Sequence, residues 1–139
     1  MWYYNNKEFV EENIEDYIGF VYCITNLNTN KKYIGRKLFT KSKTVQIKGK
    51  KKKTRISSDW KEYFGSNSVL QEEVKQNGGE NYKREILYLC KTLSECAYLE
   101  TREIFVRDAL LDDSYYNDWV SARVRKAHLR SSKLYKKEE

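Results

Sequence analysis

Two short apolar segments, at about residues 18–25 and 31–36, flank the polar turn Asn-Leu-Asn-Thr-Asn. Strand-forming residues on both sides of an Asn-rich turn predict an antiparallel β-hairpin. Its first strand carries Tyr22, and its second begins with Tyr33-Ile34-Gly35. A fold built on this hairpin holds the two phenols on neighbouring strands, and Arg36 and Lys37 follow directly after the tripeptide of the second strand.

The 139 residues are expected to form one domain, residues 1–139. Charged residues make up 34% of the chain, but the 14% of aromatic residues is enough for a packed core. No apolar run is long enough to span a membrane. The polar N-terminal segment lacks a secretory signal pattern, and Cys23, Cys90 and Cys96 lack paired metal-ligand spacing. These features predict a cytoplasmic protein with reduced thiols.

Positive charge is concentrated in two segments. Residues 31–61 contain thirteen Lys or Arg residues and one acidic residue, whereas residues 120–139 contain seven Lys or Arg residues and two acidic residues. The rest of the chain is acidic, so two cationic segments indicate a polyanion-binding surface, with a solvated lysine loop and a frayed tail as the alternative. The predicted DNA contacts are Lys48, Lys50, Lys51, Lys52, Lys53 and Arg55 in the first segment, and Arg123, Arg125, Lys126 and Arg130 in the second.

The remaining elements predict an α+β fold with a small, three-stranded, mainly antiparallel sheet flanked by helices. The expected order of elements begins with a helix at 7–16, the hairpin, a basic loop insert at 40–57 and a helix start at 58–60. A helix then runs from a cap at Ser66 or Asn67 to Gln76, and a strand follows at 82–90. The last two elements are a helix at 93–110 capped by Ser94 and a basic C-terminal helix within 120–139 that runs to about Leu129. The helix at 93–110 has one side formed by residues spaced three and four apart: Cys96, Leu99, Glu103, Val106 and Leu110. Ala97, Ile104 and Leu111 widen its apolar face, which is expected to point inward.

Three kinds of residue could carry chemistry. The tyrosine pair could orient water or phosphate oxygens, although aromatic residues on paired strands often simply pack together. Glu100 adjoins the apolar side of its helix, where a carboxylate needs a cation; the alternative to a metal is an ion pair with Arg102 or Arg107. Asn117 could be an ordinary turn residue.

Together these residues resemble the GIY-YIG nuclease family. Tyr22 and Tyr33 match the motif tyrosines, Glu100 in Leu99-Glu100-x-x-x-Ile104 matches the metal ligand, and Asn117 matches a late Asn that buttresses the site. The resemblance covers residues 18–119 approximately, and tracts such as Tyr116-Asn117 resemble the small phage-encoded members. It implies a three-stranded sheet flanked by helices, one divalent metal on Glu100, and a bacterial or phage-infected cell as the location.

The sequence departs from the family pattern in its first tripeptide and in its arginine. The tripeptide is Phe20-Val21-Tyr22, and Lys43 stands about where the family has Arg. Arg36, Lys37 and Arg55 are the cations that could hold the phosphate instead. We favour Arg36 with Lys37 close behind, because both adjoin a motif tyrosine.

The resemblance implies a DNA endonuclease that hydrolyses phosphodiester bonds with Mg²⁺ or Mn²⁺, acting on DNA that we expect to be duplex. Its catalytic residues would be Tyr22, Tyr33, Arg36, Lys37, Glu100 and Asn117, and either tyrosine could activate water. Two alternatives remain: a nucleic-acid-binding protein on this fold that does not cleave, and a phage interaction protein that acts on a host factor. Monomer and homodimer, target sequence, and nick or double-strand break stay open.

Overall fold

The computed structural model describes residues 1–136, which form seven strands and three α-helices. The strands are β1 Trp2–Tyr4, β2 Lys7–Glu8, β3 Gly19–Asn26, β4 Lys32–Leu38, β5 Thr40–Ile47, β6 Lys50–Ser57 and β7 Tyr82–Cys90. The α-helices are α1 Ser68–Asn77, α2 Leu93–Val106 and α3 Lys126–Leu129. Short 3₁₀ turns occur at Glu11–Asn13, Trp60–Glu62, Gly79–Asn81 and Ala109–Leu111. None of the helices in residues 1–136 is long and apolar enough to cross a bilayer.

The main sheet has five strands in the order β2-β1-β7-β3-β4. The α+β class is confirmed, but the prediction of three strands was wrong. The predicted strands correspond to β3, β4 and β7, which pair antiparallel. The N-terminal residues add β1, parallel to β7, and β2, antiparallel to β1.

The helix predicted at 7–16 was also wrong, because this segment contains β2 and one 3₁₀ turn. Within this segment Phe9 is buried but Val10 is exposed. The segment is held instead by aromatic contacts, since Phe9 stacks on Phe39 with ring centroids 5.8 Å apart. Nearby, the Trp2 indole donates a hydrogen bond to the Trp60 carbonyl oxygen at 2.7 Å.

β3 is buried along its whole length because each of its faces meets a different layer. Phe20, Tyr22 and Ile24 belong to an aromatic core that includes Trp2 and Trp60. The alternate residues Val21 and Cys23, with Ile34 of β4, pack in a second core against α2. The sheet is therefore covered by the aromatic layer on one face and by α2 on the other.

Two helices begin at side-chain caps. The Asn67 side chain accepts a hydrogen bond from Leu70 N–H at 3.0 Å, which confirms one of the two predicted caps for α1. The cap of α2 is Thr92, which accepts from Glu95 N–H at 3.1 Å, and not Ser94. α2 ends at Val106, four residues before the predicted end, and Asp108 has a positive φ of 51°.

The inward face of α2 differs from the prediction at its C-terminal end. Cys96, Leu99 and Ile104 are buried as expected. Val106, the last residue of α2, is 75% exposed, and Leu110, which lies beyond the end of the helix, is also exposed.

The basic segment at 40–57 is not a loop but a two-stranded antiparallel ribbon, β5–β6. The two residues at its tip, Lys48 and Gly49, have φ of 51° and 75°, as a primed two-residue hairpin turn requires. At its base, Ser58 N–H donates to the Phe39 carbonyl oxygen at 2.9 Å. No residue of either strand is buried, so the ribbon projects from the domain.

The basic C-terminal helix is much shorter than predicted. Within residues 120–136 only Lys126–Leu129 is helical, and Arg125 before it is extended with φ −110° and ψ 142°. The segment lacks a continuous apolar stripe, so isolated side chains anchor it instead: Val120 and Leu134 pack against the α2 core. The part of this prediction that falls on 137–139 lies outside the described residues.

Candidate active site

A cleft of about 410 Å³ lies along β4, which is one of the two edge strands of the main sheet, between the start of α1 and the middle of α2. The residues around it include Tyr33, Arg36, Ser66, Glu100, Asn117 and Trp119. Four of the six predicted catalytic residues therefore meet in one place. Tyr33 and Arg36 can both reach the cleft from opposite faces of β4, because the cleft runs along the edge of the strand.

The centre of the cleft is an ion pair between a strand and a helix. Arg36 Nη1 lies 3.3 Å from Glu100 Oε1, and the Glu100 side chain is only 16% exposed. Burial raises the pKa of Glu100 above its usual range, and the nearby Arg36 opposes that rise. Glu100 is thus a largely desolvated carboxylate with one cationic partner.

The alternative partners of Glu100 are engaged elsewhere. Arg107 Nε lies 2.9 Å from Glu103 Oε2, and the Arg102 guanidinium lies 5.7 Å from the centre of the Tyr88 ring. The alternative prediction, an ion pair between Glu100 and Arg102 or Arg107 of the same helix, was therefore wrong about the partner of Glu100. The cation beside Glu100 comes from β4.

The two hairpin tyrosines occupy different environments. Tyr33 borders the cleft, and its hydroxyl is 3.0 Å from Ser66 Oγ. Tyr22 is 1% exposed in the aromatic core, with its ring centre 6.2 Å from that of Tyr33. Burial raises the pKa of both phenols, that of Tyr22 strongly. Both are protonated at neutral pH, so they are hydrogen-bond donors and not resting phenolate bases.

Gly35 explains how the Tyr22 ring fits beneath β4. Tyr22 is paired directly opposite Gly35 in the β3–β4 ladder. A Cβ atom at position 35 would lie 2.3 Å from the Tyr22 hydroxyl oxygen and 2.5 Å from Cζ. The tripeptide Tyr33-Ile34-Gly35 therefore combines a cleft-lining phenol with the space that a buried phenol needs.

Asn117 completes the edge of the sheet. Its Oδ1 accepts a hydrogen bond from Ile34 N–H at 3.0 Å, and its Nδ2 donates to the Ile34 carbonyl oxygen at 2.8 Å. The amide thus makes the two bonds that a neighbouring strand would make. It fixes the backbone between Tyr33 and Gly35, which is a buttressing geometry.

Asn117→Ala is expected to lower the free energy of unfolding by about 2–3 kcal/mol, because it leaves a buried N–H and C=O of Ile34 unpaired. Urea denaturation followed by circular dichroism measures the change. Asp118→Ala is the matched control, since the neighbouring Asp118 is exposed and should shift stability by less than about 0.5 kcal/mol. Equal stability of Asn117→Ala and wild type would contradict the buttressing role.

Lys37 is separated from Glu100 by the alternation of β4, which places Lys37 on the face opposite to that of Arg36. Its Nζ lies 2.7 Å from Asp59 Oδ1 and 4.0 Å from the centre of the Tyr63 ring. It does not line the cleft with Glu100. It lines a second cavity of about 630 Å³, here called the basic cavity, which shares Arg36 with the cleft and also contains Lys41, Arg55 and Arg123.

The predicted DNA contacts are spread over three places. Lys48 and Lys50 to Lys53 lie on the projecting ribbon, while Arg55 at its base reaches the basic cavity with Arg123. Lys126 lies in α3 at a separate cavity near Tyr98 and Arg102. Arg125 and Arg130 flank α3 and are exposed.

Two residues that line the cleft were not among the predicted site residues. Trp119 is 70% exposed at the cleft, and Ser66 contacts the Tyr33 hydroxyl. The position of Trp119 two residues after Asn117 was the available signal. Trp60, by contrast, is buried in the core.

The sheet-edge cleft brings together a hairpin tyrosine, a helix glutamate and a late asparagine, the residues by which the sequence resembles the GIY-YIG family. The family profile described as "Putative endonuclease segE, GIY-YIG domain" matches residues 2–120. The chain therefore belongs to the segE-type GIY-YIG family.

One curated relative is "Putative endonuclease segE" of Enterobacteria phage T4. It is 36% identical over 98 residues, which cover 70% of this chain. The matched region is 39% of the relative's length, so the chain corresponds to less than half of that protein. No solved structure matches the chain.

Proposed function

We propose that the protein is a divalent-metal-dependent DNA endonuclease that hydrolyses phosphodiester bonds. The observation that carries this proposal is the Arg36–Glu100 pair, which borders one cleft together with Tyr33. A phosphodiester cleavage site needs a cation for the phosphate, an anionic oxygen donor for a metal, and a group that positions water. These three residues supply one of each.

The residues present fit a hard cation that keeps most of its water ligands. Glu100 offers carboxylate oxygens in a half-buried position, and its raised pKa indicates a charge that Arg36 alone does not compensate. No cluster of three or more His, Cys, Asp or Glu side chains occurs within residues 1–136. Mg²⁺ or Mn²⁺ on Glu100 suits this donor set. The bound ion would stabilise charge on the phosphate and on the leaving oxygen.

The chain's own residues bind and orient the phosphate. The Arg36 guanidinium has donors in addition to the one that faces Glu100, and these donate to a non-bridging phosphate oxygen. The protonated Tyr33 hydroxyl borders the same cleft and donates to a phosphate oxygen or holds the attacking water. Tyr22 has no surface in the cleft, so it supports the ring of Tyr33 from below.

The exposed lysines and arginines bind the DNA backbone outside the cleft. Lys48, Lys50–Lys53 and Arg55 on the ribbon, and Arg123, Arg125, Lys126 and Arg130 in the C-terminal segment, neutralise phosphates without reading bases. Lys37 does the same from the basic cavity. Duplex DNA is the expected substrate.

Trp119 is the aromatic side chain available to stack on a base at the cleft. Trp119→Ala should weaken DNA binding on the order of tenfold, as the loss of one aromatic–base stack does. Fluorescence anisotropy with a labelled duplex in EDTA measures the affinity. Leu111→Ala is the control, because Leu111 is 86% exposed and does not line the cleft.

The fluorescence of Trp119 provides a second test of stacking. Trp2 and Trp60 are each 2% exposed, so acrylamide should quench mainly the emission of Trp119. Added DNA should protect that emission in wild type and have no such effect in Trp119→Phe. Unchanged quenching of wild type at saturating DNA would contradict stacking at this site.

A nicking assay tests the proposed function itself. Supercoiled plasmid is incubated with purified protein and Mg²⁺ or Mn²⁺, with EDTA as the metal-free control. Conversion to nicked or linear plasmid that requires the metal is the expected result, and Tyr33→Phe should slow it. Intact plasmid with either metal, despite measurable DNA binding, would contradict the endonuclease.

A further inference from the structure

The β5–β6 ribbon has two chemically different faces. Cross-strand pairs such as Thr44–Lys53 and Gln46–Lys51 lie on one side, and Val45–Lys52 and Ile47–Lys50 lie on the other. The first, here called the polar face, presents Thr40, Ser42, Thr44 and Gln46 from β5. From β6 it presents Lys51, Lys53 and Arg55. The second, the mixed face, combines lysines with Val45, Ile47 and Ile56.

The polar face leads into the candidate active site. Arg55 donates hydrogen bonds to Ser42 Oγ at 2.9 Å and to the Thr40 carbonyl oxygen at 2.9 Å, so its guanidinium is fixed across the base of this face. The same three residues line the basic cavity, which shares Arg36 with the Glu100 cleft. The polar face, the basic cavity and the cleft are therefore consecutive parts of one surface.

The charge of this surface fits a polyanion. Five of the residues around the basic cavity are Lys or Arg, and none of its lining residues within the described chain is acidic. Hydroxyl and amide groups on β5 can donate to or accept from base edges, while the cations on β6 can reach phosphates. The mixed face has comparable charge, but of its side chains only Lys41, at the base of the ribbon, lines the basic cavity, whereas Thr40, Ser42 and Arg55 of the polar face all line it.

We propose that the polar face of the ribbon lies in the major groove of duplex DNA and leads one strand through the basic cavity to Arg36 and Glu100. This inference rests on the proposed endonuclease function and specifies its substrate and the orientation of binding. Two eight-residue strands span about 26 Å, and the major groove is about 12 Å wide and admits a two-stranded ribbon. Single-stranded DNA has no such groove, so the proposal requires a duplex.

A matched pair of double variants tests the orientation. Lys51→Gln/Lys53→Gln removes two charges from the polar face, and Lys50→Gln/Lys52→Gln removes two from the mixed face one residue away. General attraction between the ribbon and DNA predicts equal losses. The proposal predicts about tenfold weaker duplex binding for the first variant and less than about threefold for the second.

Binding is measured by anisotropy in EDTA across a series of salt concentrations. The slope of log affinity against log salt should fall by about 1.8 for Lys51→Gln/Lys53→Gln, as the loss of two phosphate contacts requires. The slope of the other variant should fall by less than about half of that amount, because Lys50 and Lys52 on the mixed face would add only longer-range attraction to the phosphates. Equal losses, a larger loss for the mixed face, or equal wild-type affinity for single strands would overturn the proposal.

The nicking assay separates this inference from the function on which it rests. If wild type cleaves plasmid but both double variants lose binding equally, the endonuclease stands and the orientation is wrong. If the two variants differ as expected but wild type never cleaves, the polar face still binds duplex DNA and the proposed endonuclease function is wrong. If wild type does not bind duplex DNA, both are wrong.

Discussion

Glu100→Gln is expected to lower the rate of plasmid cleavage by about 10²- to 10³-fold. The amide keeps the size of the side chain but removes the negative oxygen donor, and a catalytic metal contributes several kcal/mol of transition-state stabilisation. Affinity for DNA in EDTA should be unchanged or slightly higher, because a carboxylate near the phosphate path has been removed. Single-turnover cleavage and anisotropy measure the two effects separately.

Glu103→Gln is the matched control for this variant. Glu103 lies one turn later on α2 and has a similar side-chain exposure of 15%, but it pairs with Arg107 and accepts a hydrogen bond from Tyr88. Its replacement should reduce stability modestly and leave cleavage near the wild-type rate. Equal loss of cleavage in the two variants would show that Glu100 acts through the stability of α2 and not through the reaction.

The raised pKa of Glu100 also has consequences for pH. Cleavage needs the ionised carboxylate, so at limiting metal it should fall with decreasing pH at a midpoint above 4.5, the ordinary value for glutamate. For stability the sign is the opposite: burial favours the protonated form, so this contribution is present at low pH and lost as pH rises. Glu100→Gln should therefore be as stable as wild type at pH 7, or more stable.

Gly35→Ala is expected to reduce the free energy of unfolding by about 2–3 kcal/mol and the melting temperature by roughly 10 °C. The new methyl group would overlap the buried Tyr22 hydroxyl and Cζ, and neither β3 nor β4 can move without losing the ladder that joins them. Thermal denaturation followed by circular dichroism gives both quantities.

A double variant shows whether the clash with Tyr22 is the cause. Tyr22→Leu shortens the side chain and should cost stability by itself. In its presence Gly35→Ala should cost much less than it does in wild type, so the two effects would not add. Additive losses would locate the strain elsewhere on β4.

The features predicted correctly are those with a local pattern. The tyrosine hairpin, the strand at 82–90 and the Asn67 cap each depend on a few neighbouring residues, and the structure has all three. Glu100 and Asn117 were singled out by their family-like surroundings. Their meeting with Tyr33 depends on the edge position of β4, which no local pattern encodes.

The errors have physical causes. β1 is three residues long and pairs with residues 84–86, so its partner is too distant in sequence for a local pattern to reveal it. The ribbon has no buried face, and its strands therefore lack the alternation of apolar residues that identifies a half-buried strand. Arg36 and Lys37 adjoin in sequence, but strand alternation sends only Arg36 to Glu100.

The position of β7 between β1 and β3 determines the order in which the molecule can assemble. Both neighbours belong to the first 26 residues, whereas β7 begins at Tyr82. During synthesis the tyrosine hairpin can form early, but until β7 has emerged β1 can pair only with the two-residue strand β2. Long loops must then close when β7 joins the sheet. Glu100 follows β7 closely on α2. The Glu100 carboxylate and the Tyr33 phenol therefore come together late in folding, after β7 has joined the sheet.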